Sequence, residues 1–454
     1  MSEDQSKIES LEREIARLRA ELERLKALVE VLQRKQHRPH APFSKNSPKA
    51  NPKRPGRKGG DDYGKKARRE IPKNVDEVYD APLPAACPTC AGDVRERGVA
   101  AQYQTEIPRK PIVRRFDVHL GVCTCCGKRV QGRHPLQTSD ALGAAASQLG
   151  PDAQALATTL NKEAGLSHGK IQRVFQTAFG ITFSRGASAQ IMLRAARRCK
   201  GAYKEIQIAV KSSGWCVPDE TGWRVGGRLH WLHAFVTKSA TLYLIRDSRG
   251  FDVAEEALGA GYAGRLTRDG WKPYDRFLQA DHQQCNAHLL RRCDHLLEVA
   301  SRGAVLFPRQ VKALLQEGLT VRDARDEGKI SLCQATAESE RLELALNALC
   351  RPKTHLGNNR LAAFLDERCG QIFYYLTCLD GDATNWRAEQ AIRPAVVNRK
   401  VWGGSRTDDG ADAQGILTSV LRTACQLKRE TLDFLSNTLR APFGKAPRLI
   451  TETG

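Results

Sequence analysis

The 454-residue chain lacks any apolar run of the length that crosses a membrane, and its first residues contain no apolar core typical of a secretory leader. A membrane-spanning helix needs about 18 or more apolar residues, and a leader needs a shorter apolar core. We therefore predict a cytoplasmic protein that has no membrane partner. In that reducing compartment the 14 cysteines are expected to be free thiols or metal ligands rather than disulfides.

Acidic residues are also scarce, since 51 Asp and Glu stand against 72 Lys and Arg and leave a net charge of +21. An excess of this size favours a polyanionic partner such as nucleic acid, and solubility alone is the simpler alternative. Residues 38–75 are strongly basic, contain few apolar residues and are predicted to be a disordered arm. Such an arm can follow DNA phosphates or act as a solvated linker. Its candidate DNA-binding residues are Lys53, Arg54, Arg57 and Lys58.

Residues 1–37 contain a heptad repeat typical of a coiled coil. One core position is mostly β-branched and the other is leucine throughout, a combination that favours a parallel dimer. The alternative is a single amphipathic helix that folds back on its own chain. We predict a homodimer or a higher oligomer assembled through these two positions, which are Ile8, Ile15, Leu22 and Val29, and Leu11, Leu18, Leu25 and Leu32.

Two Cys-x-x-Cys pairs in residues 76–136 predict a zinc-ribbon-like module. Cys87 and Cys90 form the first pair, and Cys123 and Cys126 form the second. Four thiolates can bind one Zn²⁺ tetrahedrally, and such a site is structural because it leaves no position open for a substrate. Cys125 is a surplus thiol that could replace a neighbour, and four reduced cysteines without metal are the alternative.

Residues 137–208 are rich in alanine and leucine and predict helices. Ser167 is a residue type that caps helix N-termini, so a short helix is expected after it, and a helix-turn-helix that binds DNA is possible. A helical region that only packs against the rest of the chain is an equal alternative.

The chain then changes to short strand-like runs. Asp219 closes an apolar stretch, and two strand-like runs, a third over 241–245 and a helix over 251–258 follow it. Asp269 comes directly after another short apolar segment. Two aspartates at the ends of two strands can share a metal ion.

Six short motifs follow one another in the second half of the chain: Asp219-Glu220-Thr221-Gly222, Asp269-Gly270-Trp271 with Tyr274, Cys285-x-x-His288-x-x-Arg291, Asn385-x-x-x-Glu389-x-x-x-Arg393-Pro394, Arg399-Lys400 and Gly404-Ser405. Together with the coiled coil, the basic segment and the cysteine pairs, and in this order, they resemble the signatures of insertion-sequence transposases of the IS66 family. The resemblance covers nearly the whole chain. One departure is Gln390, where the family often has arginine.

The resemblance implies a multidomain protein with an α/β RNase H-like catalytic domain. This domain would span residues 209–405, with a helical insertion at about 285–384, and a helical segment over 406–454 would follow it. Carried over residue by residue, the catalytic triad is Asp219, Asp269 and Glu389. Three carboxylates can hold two Mg²⁺ ions for an in-line phosphoryl displacement on DNA.

The implied partners are the double-stranded DNA of the transposon ends and of the target, which would associate the protein with the nucleoid. Small accessory proteins of the same element can also be required. Arg393, Arg399 and Lys400 are candidates for phosphate contacts near the cleaved strand, and a solvated cationic face is the alternative.

Several assignments have competitors. Asp247 and Asp281 are alternatives to Asp269, and Glu389 could merely pair with Arg393 on a solvated helix, because isolated pairs of this spacing are common. Two other functions are also consistent with the motifs. One is a DNA-binding regulator that has lost catalysis, and the other is a nuclease without strand transfer.

Overall fold

The computed structural model describes residues 71–450 apart from 106, 108, 109, 144–147, 443 and 444, together with seven helical positions between Glu14 and Leu25. The apolar side chains among those seven are 48–58% exposed and occupy predicted heptad positions, namely Ile15, Leu18, Leu22 and Leu25. The remainder of the predicted coiled coil lies outside the described residues. So does most of the predicted arm, including Lys53, Arg54, Arg57 and Lys58.

The chain divides into two compact units, Met1–Ile107 and Pro108–Gly454. The described residues 71–107 of the first unit contain a turn at Cys87 but no helix or strand. The second unit begins with a short antiparallel hairpin, formed by β1 (Leu120–Val122) and β2 (Arg129–Gln131). The larger sheet and the helices that surround it follow.

Twelve α-helices are described in the second unit. Four precede the large sheet and one lies within it. Four belong to the predicted insertion and three follow it. Their bounds are α1 (Pro151–Lys162), α2 (His168–Phe179), α3 (Arg185–Arg198), α4 (Lys200–Lys211), α5 (Phe251–Leu258), α6 (Asn286–Val299), α7 (Leu306–Asp326), α8 (Leu332–Leu349), α9 (Leu356–Asp366), α10 (Trp386–Trp402), α11 (Asp408–Gln426) and α12 (Thr431–Arg440).

Five strands form one mixed sheet in the order β5-β4-β3-β6-β7. The first three strands are antiparallel, whereas β6 and β7 run parallel to β3. The strands predicted from the sequence are all present, and Asp269 directly follows β6. Their bounds are β3 (Trp215–Val225), β4 (Arg228–Val236), β5 (Thr241–Arg246), β6 (Arg265–Arg268) and β7 (Asp281–Gln284).

The large sheet is covered on both faces. Trp215, Val217 and Trp223 of β3 pack in one hydrophobic cluster with α10, whereas Cys216 belongs to a second cluster on the opposite face. The pairing of β3 with β4 is unbroken from Val217 onwards, so side chains alternate regularly between the two faces. Odd-numbered residues of β3 therefore face α10.

The helical region at 151–211 shares its core with the sheet. Residues of α1 to α4, of the sheet, and of α11 and α12 belong to the same hydrophobic cluster. Ser167 caps α2 as predicted, since its side chain accepts a hydrogen bond from the Lys170 N–H. The predicted boundaries at 208 and 405 thus fall within one packed unit.

The predicted insertion is helical and has a core of its own. Residues from α6 to α9 and from the segment up to Ala383 form a separate cluster centred on Leu315, Leu342 and Phe373. In the described part of the chain, no helix is both long and apolar enough to span a membrane.

Candidate active site

Asp219 lies on the face of β3 that α10 covers. Like Val217 and Trp223, which pack against that helix, Asp219 is an odd-numbered residue of β3 and faces the same side. Because strand residues alternate between faces, the neighbouring Glu220 points to the opposite face. Two adjacent carboxylates of one motif are thus separated into two environments.

Asp269 directly follows β6, the strand that runs parallel to β3. In the paired part of these strands, Trp215 is opposite Arg265 and Cys216 is opposite Leu266. Asp219 and Asp269 each lie three residues beyond this last recorded pair. The Trp271 N–H donates to Asp269 Oδ1 at 3.0 Å, which fixes the carboxylate on the turn that leaves β6.

Arg268 secures the end of β6 from inside the protein. Its side chain is fully buried and pairs with Asp275. It also donates to His282 Nδ1 at 3.1 Å and to the Trp271 carbonyl at 3.2 Å. A buried guanidinium requires partners of this kind, because an unpaired buried charge is costly. The turn that carries Asp269 is therefore anchored on both sides of the aspartate.

Glu389 occupies the first turn of α10, the helix that packs on the Asp219 face of the sheet. Its carboxylate accepts from Arg291 Nη2 at 3.0 Å and lies 3.9 Å from His288 Nε2. Both partners lie on α6, the first helix of the insertion. The insertion thus contacts the third predicted carboxylate directly, through the pair of Glu389 with Arg291.

The three predicted carboxylates influence one another electrostatically. Burial raises the pKa of Asp219 to about 7, and the negative charges of Glu220, Asp269 and Glu389 contribute to the increase. The Glu220 N–H donates to Asp219 Oδ1 at 2.9 Å, and this hydrogen bond lowers the pKa of Asp219 and so opposes the increase.

Three contacts fasten α10 to the rest of the site. At its start, Cys285 Sγ donates to Asn385 Oδ1 at 3.1 Å. In the middle, Tyr243 Oη donates to the Ala391 carbonyl at 2.8 Å. This carbonyl lies near Pro394, a residue that lacks an N–H for the helix ladder. Near its end, Arg399 donates to Thr221 Oγ1 at 3.0 Å.

The Gly404-Ser405 motif joins the chain after α10 to the end of β3. The Ser405 N–H donates to the Arg224 carbonyl at 2.8 Å, and the Trp223 indole donates to Ser405 Oγ at 3.2 Å. Gly404 has a φ of +114°, and a Cβ built on it would lie 2.5 Å from the Arg224 oxygen. Only glycine fits this close approach of two backbones.

The competitors of Asp269 occupy other positions. Asp281 begins β7 and pairs with Arg265 at the opposite end of the parallel strands, where its carboxylate accepts from Tyr374 Oη at 2.5 Å. Asp247 is exposed after β5, and β4 separates β5 from β3. Neither of the two is adjacent to Asp219 in the way that Asp269 is.

The carboxylates of Asp219, Asp269 and Glu389 are of the type that binds a hard divalent cation, but they are not arranged as a complete coordination shell. Within the described ranges, no three His, Cys, Asp or Glu side chains lie close enough to hold a metal ion as they stand. Oxygen ligands from several acidic residues are what Mg²⁺ prefers. A cation would also offset the mutual repulsion recorded in the pKa of Asp219. Glu389 would have to be shared with, or released by, Arg291.

The two Cys-x-x-Cys segments adopt the same turn. In the first, the Cys87 N–H donates to the Gly92 carbonyl and the Ala91 N–H donates back to the Cys87 carbonyl, each at 2.8 Å. The second repeats the pattern at 2.8 and 2.9 Å with Cys123, Lys128 and Gly127. Nearby backbone N–H groups lower the pKa of the Cys87 and Cys123 thiols, which favours the thiolates that metals bind.

The predicted cationic residues of α10 differ in their surroundings. Arg393 is exposed one turn after Glu389. Lys400 is exposed in the last turn. Arg399 is partly buried and also donates to the Gly222 carbonyl, so its guanidinium contacts the strand that carries Asp219.

Sequence reasoning did not single out Arg249. Its Nε donates to Glu220 Oε1 at 2.9 Å, and its guanidinium stacks on the rings of Trp231 and Trp271. Tyr274 completes the surroundings of Glu220, with its hydroxyl 3.5 Å from Oε2. No periodic or motif signal points to Arg249, because its partners come from three separate segments.

Residues 146–413 match the family model described as Transposase IS66 family, which is more than half of the chain. The matched range contains Asp219, Asp269 and Glu389 and ends within α11. A comparison with curated proteins found no match.

Proposed function

The chain belongs to the IS66 family of transposases, and we propose that it cuts and joins DNA at the ends of its insertion element through Asp219, Asp269 and Glu389. Membership of the family implies a role in transposition and DNA as the substrate. The acidic triad, the metal ions and the two reaction steps go beyond membership and rest on the geometry.

The proposal is supported by the positions of the three carboxylates: Asp219 lies on β3, Asp269 directly follows the parallel strand β6, and Glu389 lies on α10, which packs on the Asp219 face of β3. They are far apart in sequence, yet the pKa of Asp219 responds to the other two. A mixed five-stranded sheet with helices on both faces supports an RNase H-like catalytic domain. The helices between β7 and α10 correspond to the insertion expected in this family.

The proposed chemistry has two phosphoryl transfers. Two Mg²⁺ ions bound by the triad would supply Lewis acidity at the attacking and leaving oxygens. In the first transfer, water displaces a 3′ oxygen at the transposon end and leaves a free 3′-hydroxyl and a 5′-phosphate. In the second, that hydroxyl loses its proton and attacks a target phosphate, displacing another 3′ oxygen. Asp219, Asp269 and Glu389 position the reacting groups in both.

Other parts of the chain are proposed to bring the DNA to this site. Arg393 is placed to contact a phosphate, since it is exposed one turn from Glu389. The basic residues Lys53, Arg54, Arg57 and Lys58, together with Lys400, would add contacts that carry no sequence information. The heptad repeat would form a dimer, and Cys87, Cys90, Cys123 and Cys126 would hold one structural Zn²⁺.

The test is cleavage of labelled terminal-repeat DNA in Mg²⁺. Asp219→Ala, Asp269→Ala and Glu389→Ala are each expected to abolish nicking while DNA binding, measured by a mobility shift, is retained. Asp247→Ala and Asp281→Ala are matched controls that should nick at the rate of the unmodified protein. Nicking by Asp269→Ala, or its loss in either control, would assign the second carboxylate elsewhere.

A precleaved end separates the proposal from its two competitors. A transposase joins that end to a second DNA molecule, whereas a nuclease nicks the uncleaved end but yields no joined product. A regulator binds the terminal repeat and does neither, even when the accessory proteins of the element are added.

A further inference from the structure

Glu220 lies in an enclosed polar site on the face of the sheet opposite Asp219. Its side chain is only 3% exposed. Arg249 contacts one carboxylate oxygen through two nitrogens, Nε at 2.9 Å and Nη2 at 2.7 Å, while the other oxygen faces Tyr274. A buried carboxylate with a paired guanidinium costs less than an unpaired one. Arg249 is thus the cationic partner of the residue next to Asp219.

The guanidinium of Arg249 is itself held in place by two indole rings. Its central carbon lies 3.9 Å from the ring centre of Trp271 and 4.7 Å from that of Trp231. Contact with two rings restricts the side chain, and cation–π attraction adds to the ion pair. Trp231 comes from β4, where it pairs with Gly222 of β3.

The same residues connect the middle of β3, which carries Asp219, with the turn after β6 that carries Asp269. The Trp271 indole N–H donates to the Arg249 carbonyl at 3.2 Å. The Trp271 backbone N–H donates to Asp269 Oδ1 at 3.0 Å. A continuous set of contacts therefore runs from Glu220, beside Asp219, through Arg249 and Trp271 to Asp269.

We propose that Arg249 is a positioning residue which, stacked against Trp231 and Trp271 and paired with Glu220, fixes the middle of β3 and the end of β6 so that Asp219 and Asp269 can bind a divalent cation together. It does not touch the DNA or the cation. The inference rests on the proposed function, because it assigns metal binding to these two aspartates. Residues that orient metal ligands typically contribute about 10–100-fold to metal affinity.

The experiment compares Arg249→Met, which keeps a long side chain but removes the charge, with Arg249→Lys and Arg276→Met. Arg276 stacks on Phe251 at 4.1 Å and is a matched control for the loss of a stacked guanidinium. The first measurement is titration of the DNA-free protein with Mn²⁺, with free Mn²⁺ counted by electron paramagnetic resonance. We expect affinity to fall about tenfold or more in Arg249→Met, less in Arg249→Lys, and not at all in Arg276→Met.

The second measurement is the rate of nicking as a function of Mg²⁺ concentration. The half-saturating concentration should rise in Arg249→Met, and high Mg²⁺ should restore part of the rate. A role confined to folding would lower the melting temperature without altering metal affinity in the folded protein. Full Mn²⁺ affinity in a folded Arg249→Met protein would overturn the inference.

Two further variants apply if Arg249→Met does not fold. Trp271→Phe keeps a ring against Arg249 but removes the indole donor to the Arg249 carbonyl, and Glu220→Gln removes the charge that Arg249 pairs with. Each is expected to weaken Mn²⁺ binding by a smaller factor than Arg249→Met. Unchanged affinity in both would overturn the inference.

Failure of the inference and failure of the proposed function give different results. If Mn²⁺ binding depends on Asp219 and Arg249 but the protein never nicks DNA, the positioning role stands and the proposed function falls. If the protein nicks DNA and neither its Mg²⁺ dependence nor its Mn²⁺ affinity responds to Arg249, the proposed function stands and the positioning role falls.

Discussion

Asp219 destabilises the metal-free protein above neutral pH. Its pKa rises from 3.8 to about 7 on folding, through burial and the neighbouring carboxylates. A raised pKa means that the folded protein holds this proton more tightly than the unfolded chain does. The stabilisation is complete below about pH 4 and is lost as the pH rises through about 7.

Asp219→Asn should therefore stabilise the metal-free protein at high pH. The amide resembles the protonated acid and carries no charge at any pH. We expect a gain of about 2–4 kcal/mol at pH 8.5, since one pKa unit corresponds to about 1.4 kcal/mol, and a much smaller gain at pH 5. Thermal unfolding in chelator at the two pH values measures it. Added Mg²⁺ should raise the melting temperature of the unmodified protein only.

The candidate site could be predicted from the sequence to the extent that its residues stand in motifs. Asp269 directly follows β6, as its apolar run predicts. Asp219 was predicted by the same pattern at the end of a strand, but it lies within β3, which continues to Val225. Arg249 has no such pattern, because its position is set by Trp231, Trp271 and Glu220, which come from other segments. A role that depends only on tertiary contacts leaves no periodic signal in a single sequence.

At the scale of elements, α10 and the residues that follow it contact β3 at several points. In one of these contacts the Gly404 backbone lies directly against the Arg224 backbone. Gly403 precedes it with a φ of +84°, but a Cβ there would meet nothing within 4 Å. The two glycines therefore form a matched pair. Gly403 is required only for its positive φ, whereas Gly404 is required both for its positive φ and because a Cβ would overlap the Arg224 carbonyl.

Gly404→Ala should destabilise the protein more than Gly403→Ala. Left-handed backbone costs an alanine about 1–2 kcal/mol, which is the whole effect expected at Gly403. At Gly404 the added methyl also overlaps the Arg224 carbonyl, so we expect about 3 kcal/mol or more. Chemical denaturation gives both values, and equal losses would contradict the close approach. Nicking should fall with Gly404→Ala, because α10 carries Glu389.

The two cysteine turns predict the zinc content of the purified protein. They share one hydrogen-bond pattern, and in both the first thiol has a lowered pKa. The purified protein should contain about one Zn²⁺ per chain, as four thiolates bind a single ion. Elemental analysis should show its loss in Cys87→Ala and in Cys123→Ala. Cys333→Ala, at an exposed cysteine of α8, should retain it.

Elements were easier to predict than their packing. The alternating pattern before and after Gly226 predicted β3 and β4, and the structure contains both. The helical texture of residues 151–211 predicted helices but left open whether they form a separate DNA-binding region. Their apolar residues complete the core that also contains Phe235 and Leu417. Such long-range burial is not visible in local composition.

At the scale of the whole molecule, the packed unit extends beyond the range matched by the family model. That range ends at residue 413, within α11. Leu417, Val420 and Leu421 follow in the same helix and are buried in the shared core. Leu449 is also buried, and its N–H donates to Glu205 at 2.8 Å. The C-terminal helices are part of the same packed unit.

A chain ending at residue 413 should fail to fold cooperatively. It loses four large buried side chains of α11 (Ile416, Leu417, Val420 and Leu421) and all of α12. Each side chain is worth about 2–5 kcal/mol, against a net stability of about 5–15 kcal/mol. A chain ending at residue 450 keeps Leu449 and serves as the control. Urea unfolding followed by near-ultraviolet circular dichroism compares the two. A cooperative transition in the shorter chain would contradict the shared core.

The separation of the carboxylates along the chain has a consequence for protein synthesis. Glu389 follows Asp219 by 170 residues, and the insertion that contacts Glu389 through Arg291 lies between them. At about 5–20 residues per second, a ribosome that has translated Asp219 takes roughly 10–35 s to reach Glu389. For that interval the nascent chain would lack the third proposed catalytic carboxylate, so under the proposed function DNA beside the ribosome could not be cut before most of the protein has been made.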